Sequence, residues 1–218
     1  NRDRVMAPGQ LSFQQMREEY NYDSVGPDTE IYGVIADPVG HSLSPLIHNA
    51  AFKHEGMNRV YLPFRVPSEH LDQFITDCPA RHIRGLSVTI PHKEAVLKHC
   101  NQVNGAVQGI GATNTLVFKN GDEVFGFNTD YKAAMNCLDV RLGTAERKAP
   151  LAGHVALVLG AGGAARAIAF GLIRRGADVV VTSRTYGRAL VLADELKCRA
   201  TEWVNRHNVK HEALVNAT

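Results

Sequence analysis

The sequence predicts an α/β protein made of two successive domains, the first with a mostly parallel sheet and the second an open parallel sheet. Three observations carry that expectation. From Ile31 onward, short apolar runs alternate with helical stretches. His154–Leu159 and Asp178–Thr182 are continuous apolar runs, as in strands covered on both faces. A glycine-rich string at 160–166 joins the first of these runs to a helix.

Residues 1–30 differ in character from the rest of the chain. Ala7-Pro8-Gly9-Gln10 reads as a turn, and Ser12-x-x-Gln15 is a capping-box pattern opening a short helix to about Tyr20. Asn21 to Asp28, polar and carrying Gly26 and Pro27, reads as a linker. Ile31–Ile35 is the first strand. Ser44 and Pro45 then supply an N-cap and a proline at the first helical position, for a helix running to Gly56. Val60–Val66 is strand-like, and Ser68 caps a helix to about Cys78. Gly85–Ile90, rich in β-branched residues, is another strand. Pro91 starts a helix through His99, and Val103–Gly109 is a further short one. Thr113–Phe118 and Val124–Phe127 flank Asn120-Gly121, the two-residue hairpin signal. Thr129 caps a helix ending near Gly143.

Residues 144–152, polar with Pro150, read as the hinge, giving a first domain over 31–143 and a second over 153–218. In the second, His154–Leu159 is a strand, Gly163–Arg175 a helix ended by Gly176, and Asp178–Thr182 a strand. Tyr186–Leu196 is a helix and Ala213–Asn216 opens a further strand, a βαβαβ order.

Composition bounds the partners. Lys and Arg number 24 against 22 Asp and Glu, a net charge of +2, too balanced for a nucleic-acid-binding face. At 44% hydrophobic and 21% charged the 218 residues are globular, and no run approaches the roughly 18 apolar residues of a membrane span. Cys78, Cys100, Cys137 and Cys198 form no C-x-x-C pair, and the ten histidines show no metal-ligand spacing, so no metal is expected. The cysteines read as free, mostly buried thiols in a reducing compartment, the cytoplasm. Asn1-Arg2-Asp3-Arg4 leads into no apolar run, so no signal peptide is visible. Lacking an initial Met, the chain is expected to begin inside a longer protein, with any targeting address upstream.

The string 160-GAGGAAR-166 follows an apolar strand and opens a helix, fitting G-x-G-x-x-A with Gly160, Gly162 and Ala165 in the small positions. Glycines let backbone N–H groups approach a pyrophosphate, the helix N-terminus adds a positive dipole end, and Ala165 permits close helix–strand packing. The next strand runs into Ser183-Arg184-Thr185 with no acid for a ribose 2′-hydroxyl. An arginine there suits a 2′-phosphate, which points to NADP as the cofactor.

In the first domain, polar clusters sit at the strand ends: Ser42-x-Ser44, Thr89-x-x-x-Lys93, and Asn114 with Asn128-Thr129-Asp130. Ser44, Asn128 and Thr129 also suit helix caps. Lys93 in a first helical turn is poorly placed for a cation unless Asp130 lies beside it. In open α/β sheets, ligands bind beyond the carboxyl ends of the strands.

The strings 40-GHSLSPLIHNAAF-52, 85-GLSVTIPHKEAV-96, 111-GATNT-115, 126-GFNTD-130, 160-GAGGAAR-166, 183-SRT-185 and 215-VNAT-218 occur in the order found in shikimate dehydrogenases, which the chain resembles from about Tyr32 to Thr218. The resemblance implies a first domain that binds substrate, a partial Rossmann domain that binds NADP, and reversible reduction of 3-dehydroshikimate to shikimate in aromatic amino-acid biosynthesis. It implies that Ser42 and Ser44 bind the substrate carboxylate, that Thr89, Asn114 and Asp130 bind its hydroxyl edge, and that Lys93 and Asp130 are the catalytic pair. It further implies that Gly160, Ala161, Gly162, Gly163, Ala164, Ala165 and Arg166 hold the pyrophosphate. Ser183, Arg184 and Thr185 would surround the 2′-phosphate, with Ala217 and Thr218 also on the cofactor. Lys93 would polarise the carbonyl and donate the proton, with Asp130 orienting it.

VMAPGQLSFQQMREEY, residues 5–20, is similar to the end of type I dehydroquinate dehydratases, implying a fused dehydratase–dehydrogenase with Gln10 a remnant of the first site. Too few β/α units are present to close that barrel, so no dehydratase activity is expected. The family continues past its VNAT strand with the rest of the cofactor sheet and a last helix carrying a substrate-binding Gln. Weak or no activity is therefore expected of these 218 residues, and full activity of the intact parent. A quinate/shikimate dehydrogenase of relaxed specificity is the enzyme alternative, although the paired serines lean toward shikimate. A non-catalytic sensor is the alternative of another class, and it predicts loss of Lys93 and Asp130, both of which are retained. Oligomeric state is left open.

Overall fold

A computed structural model of the chain describes residues 10–119, 123–142 and 150–218. The expected turn at Ala7–Gly9, the hairpin turn at Asn120-Gly121 and most of the hinge at 144–152 lie outside the described residues. Two compact units form: Asn1–Gln102 with Asn114–Gly126, and Val103–Thr113 with Phe127–Thr218.

The first unit opens with α1, Phe13–Glu18, which begins as its capping box requires. Gln15 N donates to Ser12 Oγ at 3.1 Å, and Ser12 N donates to Gln15 Oε1 at 3.0 Å. The linker after it holds a 3₁₀ turn at Tyr22–Ser24. Then come β1 (Glu30–Ala36), α2 (Ser44–His54), β2 (Arg59–Arg65), α3 (Leu71–Asp77) and β3 (Ile83–Val88). After β4 (Gln102–Val103) and α4 (Gly105–Ile110), the chain forms β5 (Thr115–Lys119) and β6 (Glu123–Phe127). The sheet order is β2-β1-β3-β5-β6-β4, with β1 parallel to both β2 and β3 and β5 antiparallel to β3. Ile35, Leu86 and Leu116 are buried in its core, as apolar residues of central strands must be, and Val96 from the segment after β3 joins them.

Several caps differ from expectation. Ser44 begins α2 but makes no capping bond; its own N–H donates to Ser42 Oγ at 3.3 Å. Ser68 opens only a 3₁₀ turn, Ser68–His70, ahead of α3. No helix starts at Pro91. His92 N donates to Thr89 O at 2.9 Å to close a turn, and Ala95–His99 then coils as 3₁₀. The reason is a tertiary anchor: buried His92 donates through Nε2 to the Val66 carbonyl at 2.7 Å, pulling the loop inward. Proline suits such a turn as well as a helix start.

The second unit has β7 (Val155–Leu159), α6 (Gly163–Arg174), β8 (Asp178–Ser183), α7 (Tyr186–Leu196), β9 (Arg199–Glu202) and β10 (Ala213–Asn216). All pairs in its sheet are parallel, in the order β10-β7-β8-β9. β9 departs from expectation, because its sequence RATE carries no apolar run. Small residues on α6 and α7, among them Ala165, Ala169 and Ala189, let the helices pack closely on Val158 and Val181. α5, Thr129–Leu142, belongs here too, and its N-terminus is capped by Asn128 rather than Thr129: Tyr131 N donates to Asn128 Oδ1 at 3.0 Å.

Membership of α4 and α5 in the second unit departs from a cut at the hinge. Side-chain packing accounts for it. A Cβ on Gly109 would lie 2.3 Å from the Phe170 ring, and Met135 is seated against Gly171. The Arg175 guanidinium forks onto the Asp139 carboxylate, one arm at 2.9 Å, with both side chains largely buried.

Among the described residues, no helix is long and apolar enough to cross a membrane. The four cysteines are free, but Cys137 is exposed on α5 rather than buried. Burial pushes the Cys78 thiol up to about 12 and those of Cys100 and Cys198 to about 11. Because the thiolate is the nucleophile, iodoacetamide at pH 8 should alkylate Cys137 at least about tenfold faster than the other three. Peptide mapping by mass spectrometry checks this, and uniform labelling of all four would contradict the buried packing.

Candidate active site

In the first sheet β1, β2 and β3 run parallel, so Ala36, Arg65 and Val88 finish at one end. β5, antiparallel, starts at that same end with Thr115 opposite Ser87. The topology alone therefore gathers the loop after β1, the loop after β3 and the residue before β5. Backbone bonds tie them together: Thr89 N donates to Ile35 O at 3.1 Å, Asp37 N to Ile90 O at 3.1 Å, and Val88 N to Asn114 O at 2.7 Å.

Ser42, Ser44, Thr89, Lys93 and Asn114 all sit in these segments, each half-buried. Asn114 has its side-chain carbonyl engaged by Thr115 Oγ1, which donates at 2.9 Å. The assembly is hydroxyls, an amide and an ammonium at the open end of a sheet. It can bind a polyhydroxylated acid and deliver a proton. Asp130 is half-buried in the first turn of α5 in the second unit, behind the Asn128 cap. An apolar cavity of about 280 Å³ lies elsewhere, against Met16, Tyr20 and the strand starts at Ile31 and Val60. It is at the amino end of the sheet and holds none of these groups.

In the second unit, the carboxyl ends of β7, β8 and β10 come together. Gly160 N donates to Thr182 O at 2.7 Å, and Ala217 N donates to Leu159 O at 2.8 Å. Gly160 has φ +125°, and a Cβ there would lie 2.4 Å from the Ala217 carbonyl oxygen, so only glycine fits. Gly162 is extended at φ −97° with no atom within 4 Å of an added Cβ. That open space faces the start of α6, whose first-turn N–H groups at Gly163, Ala164 and Ala165 have no partner within the helix. Ala161 and Ala165 are buried beneath the loop. Thr218 closes the end of β10, its N and Oγ1 both donating to Asn216 Oδ1 at 3.2 and 2.9 Å. These features fit a dinucleotide phosphate.

Thr182 joins the loop to the end of β8, so Ser183, Arg184 and Thr185 come directly beside it. Thr185 N donates to Ser183 Oγ at 3.3 Å, and Arg184 is exposed. Arg188, exposed in the first turn of α7, is a second cation there that no motif string flags. Cations at a helix N-terminus are unfavourable unless an anion offsets them.

Arg166, the last residue of the glycine-rich string, has its side chain engaged within the second unit. Its guanidinium donates to the Ile110 carbonyl at 3.4 Å and pairs with Glu195, so it joins α4, α6 and α7 inside the second unit. Its side chain is 10% exposed. Spacing does not reveal these partners, because the sequence carries no signal of which helix face meets α4.

Residues 34–116 match the family model described as the shikimate dehydrogenase substrate binding domain, and residues 154–216 match one described as NADP oxidoreductase, coenzyme F420-dependent. The bifunctional 3-dehydroquinate dehydratase/shikimate dehydrogenase of Arabidopsis thaliana is 38% identical over 99% of this chain and 37% of that protein. The NADP(+) shikimate dehydrogenase of Methanopyrus kandleri is 46% identical over 80% of this chain and 58% of its own length. The chain thus spans well under two thirds of either relative. The crystal structure of shikimate dehydrogenase from Aquifex aeolicus superposes with a TM-score of 0.77 at 34% identity, over 89% of this chain and 70% of that one. With the hydroxyl-lined sheet end and the glycine loop both lying inside the matched segments, this chain belongs to the shikimate dehydrogenase family.

Proposed function

We propose that this chain carries the substrate and NADP sites of an enzyme that reversibly reduces 3-dehydroshikimate to shikimate, as the dehydrogenase part of a fused dehydratase–dehydrogenase. The grouping of Ser42, Ser44, Thr89, Lys93 and Asn114 at one sheet end carries the reading. Alignment with the Arabidopsis relative over 99% of this chain, residues before β1 included, supports the fusion. The reducing cytoplasm suits the free thiols and is the proposed location.

Ser42 and Ser44 donate to the substrate carboxylate, and Thr89, Asn114 and Asp130 hold the ring hydroxyls. Because every such group is matched by a hydroxyl, an amide or a carboxylate, an analogue lacking one leaves a polar group unpaired and binds far less well. Gly160 to Ala165 hold the pyrophosphate, Ser183, Arg184 and Thr185 the 2′-phosphate, and Ala217 and Thr218 line the loop beside Gly160. NADP, when bound, supplies the two-electron redox change. Lys93 Nζ polarises the carbonyl and gives its oxygen a proton as the alcohol forms, taking that proton back in the reverse direction. Asp130 orients Lys93 and accepts from the neighbouring hydroxyl.

The test is NADPH formation when shikimate is added to the full-length protein with NADP. No formation, or equal rates with NAD, would overturn the reading. Arg184→Ala should raise KM for NADP by about 10- to 100-fold and leave NAD use unchanged, because only the 2′-phosphate is lost as a partner. Steady-state kinetics with both nucleotides checks this.

A further inference from the structure

Tyr61 lies in β2, with 3% of its surface exposed. α2 holds it in place. Asn49 Nδ2 donates to the Tyr61 carbonyl at 2.9 Å, Tyr61 N donates to Asn49 Oδ1 at 2.8 Å, and the His48 ring stacks on the phenol at 4.3 Å and 14°. The ring therefore lies along the helix that Ser44 begins. Strand register locates Ser87 relative to it. Tyr61 pairs with Tyr32, which pairs with Gly85, whereas Val34 pairs with both Pro63 and Ser87. Ser87 is thus two positions nearer the carboxyl end of the sheet and on the same face. Its offset from Tyr61 is about 6.6 Å along the strands and about 9.6 Å across them, since β1 lies between.

The phenol oxygen is fully buried and has no hydrogen-bond partner. The Ser87 and Ser44 hydroxyls lie near it: burial pushes the Tyr61 pKa up, and those two hydroxyls, with the Ser87 backbone, pull it down by less. Tyr61 is therefore protonated at neutral pH and has a proton to offer. Packing alone gives no reason for the oxygen, since phenylalanine would fill the same space without leaving a buried hydroxyl unpaired.

We propose that Tyr61 is a positioning residue of the acid subsite, donating its O–H to Ser44 Oγ so that the Ser44 hydrogen points at the substrate carboxylate. The inference rests on the proposed function, which puts the carboxylate at Ser42 and Ser44. A serine hydroxyl donates once and can accept as well, so a proton accepted from Tyr61 commits its own donor to the anion. Successive hydrogen bonds polarise one another, strengthening the bond to the charged end.

Tyr61→Phe removes only the oxygen and keeps the stack and the Asn49 bracket. Calorimetric titration with shikimate and with its uncharged methyl ester reads the subsite directly. Tyr61→Phe should weaken shikimate binding about tenfold while leaving the affinities for the ester and for NADP unchanged, with no fall in Tm. Ser44→Ala should show a similar loss, and the double variant no more than either single one. Equal losses for acid and ester, additive losses, or an unchanged shikimate affinity would each overturn the role of Tyr61 while leaving the proposed function standing. An unmodified protein that binds shikimate no better than the ester overturns both.

Discussion

Lys93→Ala should lower kcat for shikimate oxidation by about 10³-fold, close to 4 kcal/mol of transition-state stabilisation, while shikimate still binds. Lys93 is half-buried in the loop that leaves β3. Charge that builds on a carbonyl oxygen there needs a cation and a proton donor, and a methyl group provides neither. Lys93→Arg separates the two roles. Arginine keeps the positive charge but does not give up its proton in the working pH range, so polarisation survives and proton transfer does not. Turnover of the Arg variant should therefore stay within about tenfold of the Ala variant. Stopped-flow rates with NADP, beside calorimetric shikimate affinities, measure both quantities. Retention of wild-type kcat in Lys93→Ala would remove the proposed proton donor.

Gly160→Ala should cost the second unit about 3 kcal/mol or more and abolish measurable NADP binding. The added Cβ meets backbone rather than a movable side chain: the Ala217 carbonyl oxygen at 2.4 Å and its carbon at 2.9 Å. At φ +125° the backbone is itself strained for any residue with a side chain. Relief requires the end of β10 to part from β7, breaking the bond from Ala217 N to Leu159 O. Gly162→Ala is the contrasting case. Its φ is ordinary and its Cβ enters open space, so stability should change by less than about 1 kcal/mol while NADP affinity falls because the methyl group occupies the phosphate's approach. Urea unfolding and nucleotide titration distinguish the two patterns. A stable Gly160→Ala protein that binds NADP would refute the close approach of β7 and β10.

Order and type of the secondary structure were legible because both sheets are written in apolar runs and their turns in glycine, proline and asparagine. β7, α6, β8, α7 and β10 lie within two residues of where their patterns place them. The capping box at Ser12 and Gln15 is a local exchange of two bonds, which spacing alone specifies. The glycine loop was legible for the same reason: its constraint acts within a few residues of backbone.

Features that depend on a distant neighbour were not legible. Pro91 opens a turn instead of a helix because His92 reaches the Val66 carbonyl, a partner 26 residues away. Polar β9 is a strand because β8 offers it an edge, with Val181 opposite Ala200. Arg166 pairs with Glu195 and the Ile110 carbonyl, and α5 joins the second unit through Met135 and Asp139.

By itself, then, the sequence determined the α/β class, the alternation of elements and the residue types gathered at the strand ends. Backbone propensity and side-chain period act over a few residues, and strand direction is set by connection length. Tertiary structure alone decided which of those residues face one another. Tyr61 is bracketed by Asn49 and stacked on His48 of a helix laid against its strand, and Arg166 pairs with an acid on another helix. Such pairings depend on burial and on partners remote along the chain, and neither is written in local pattern.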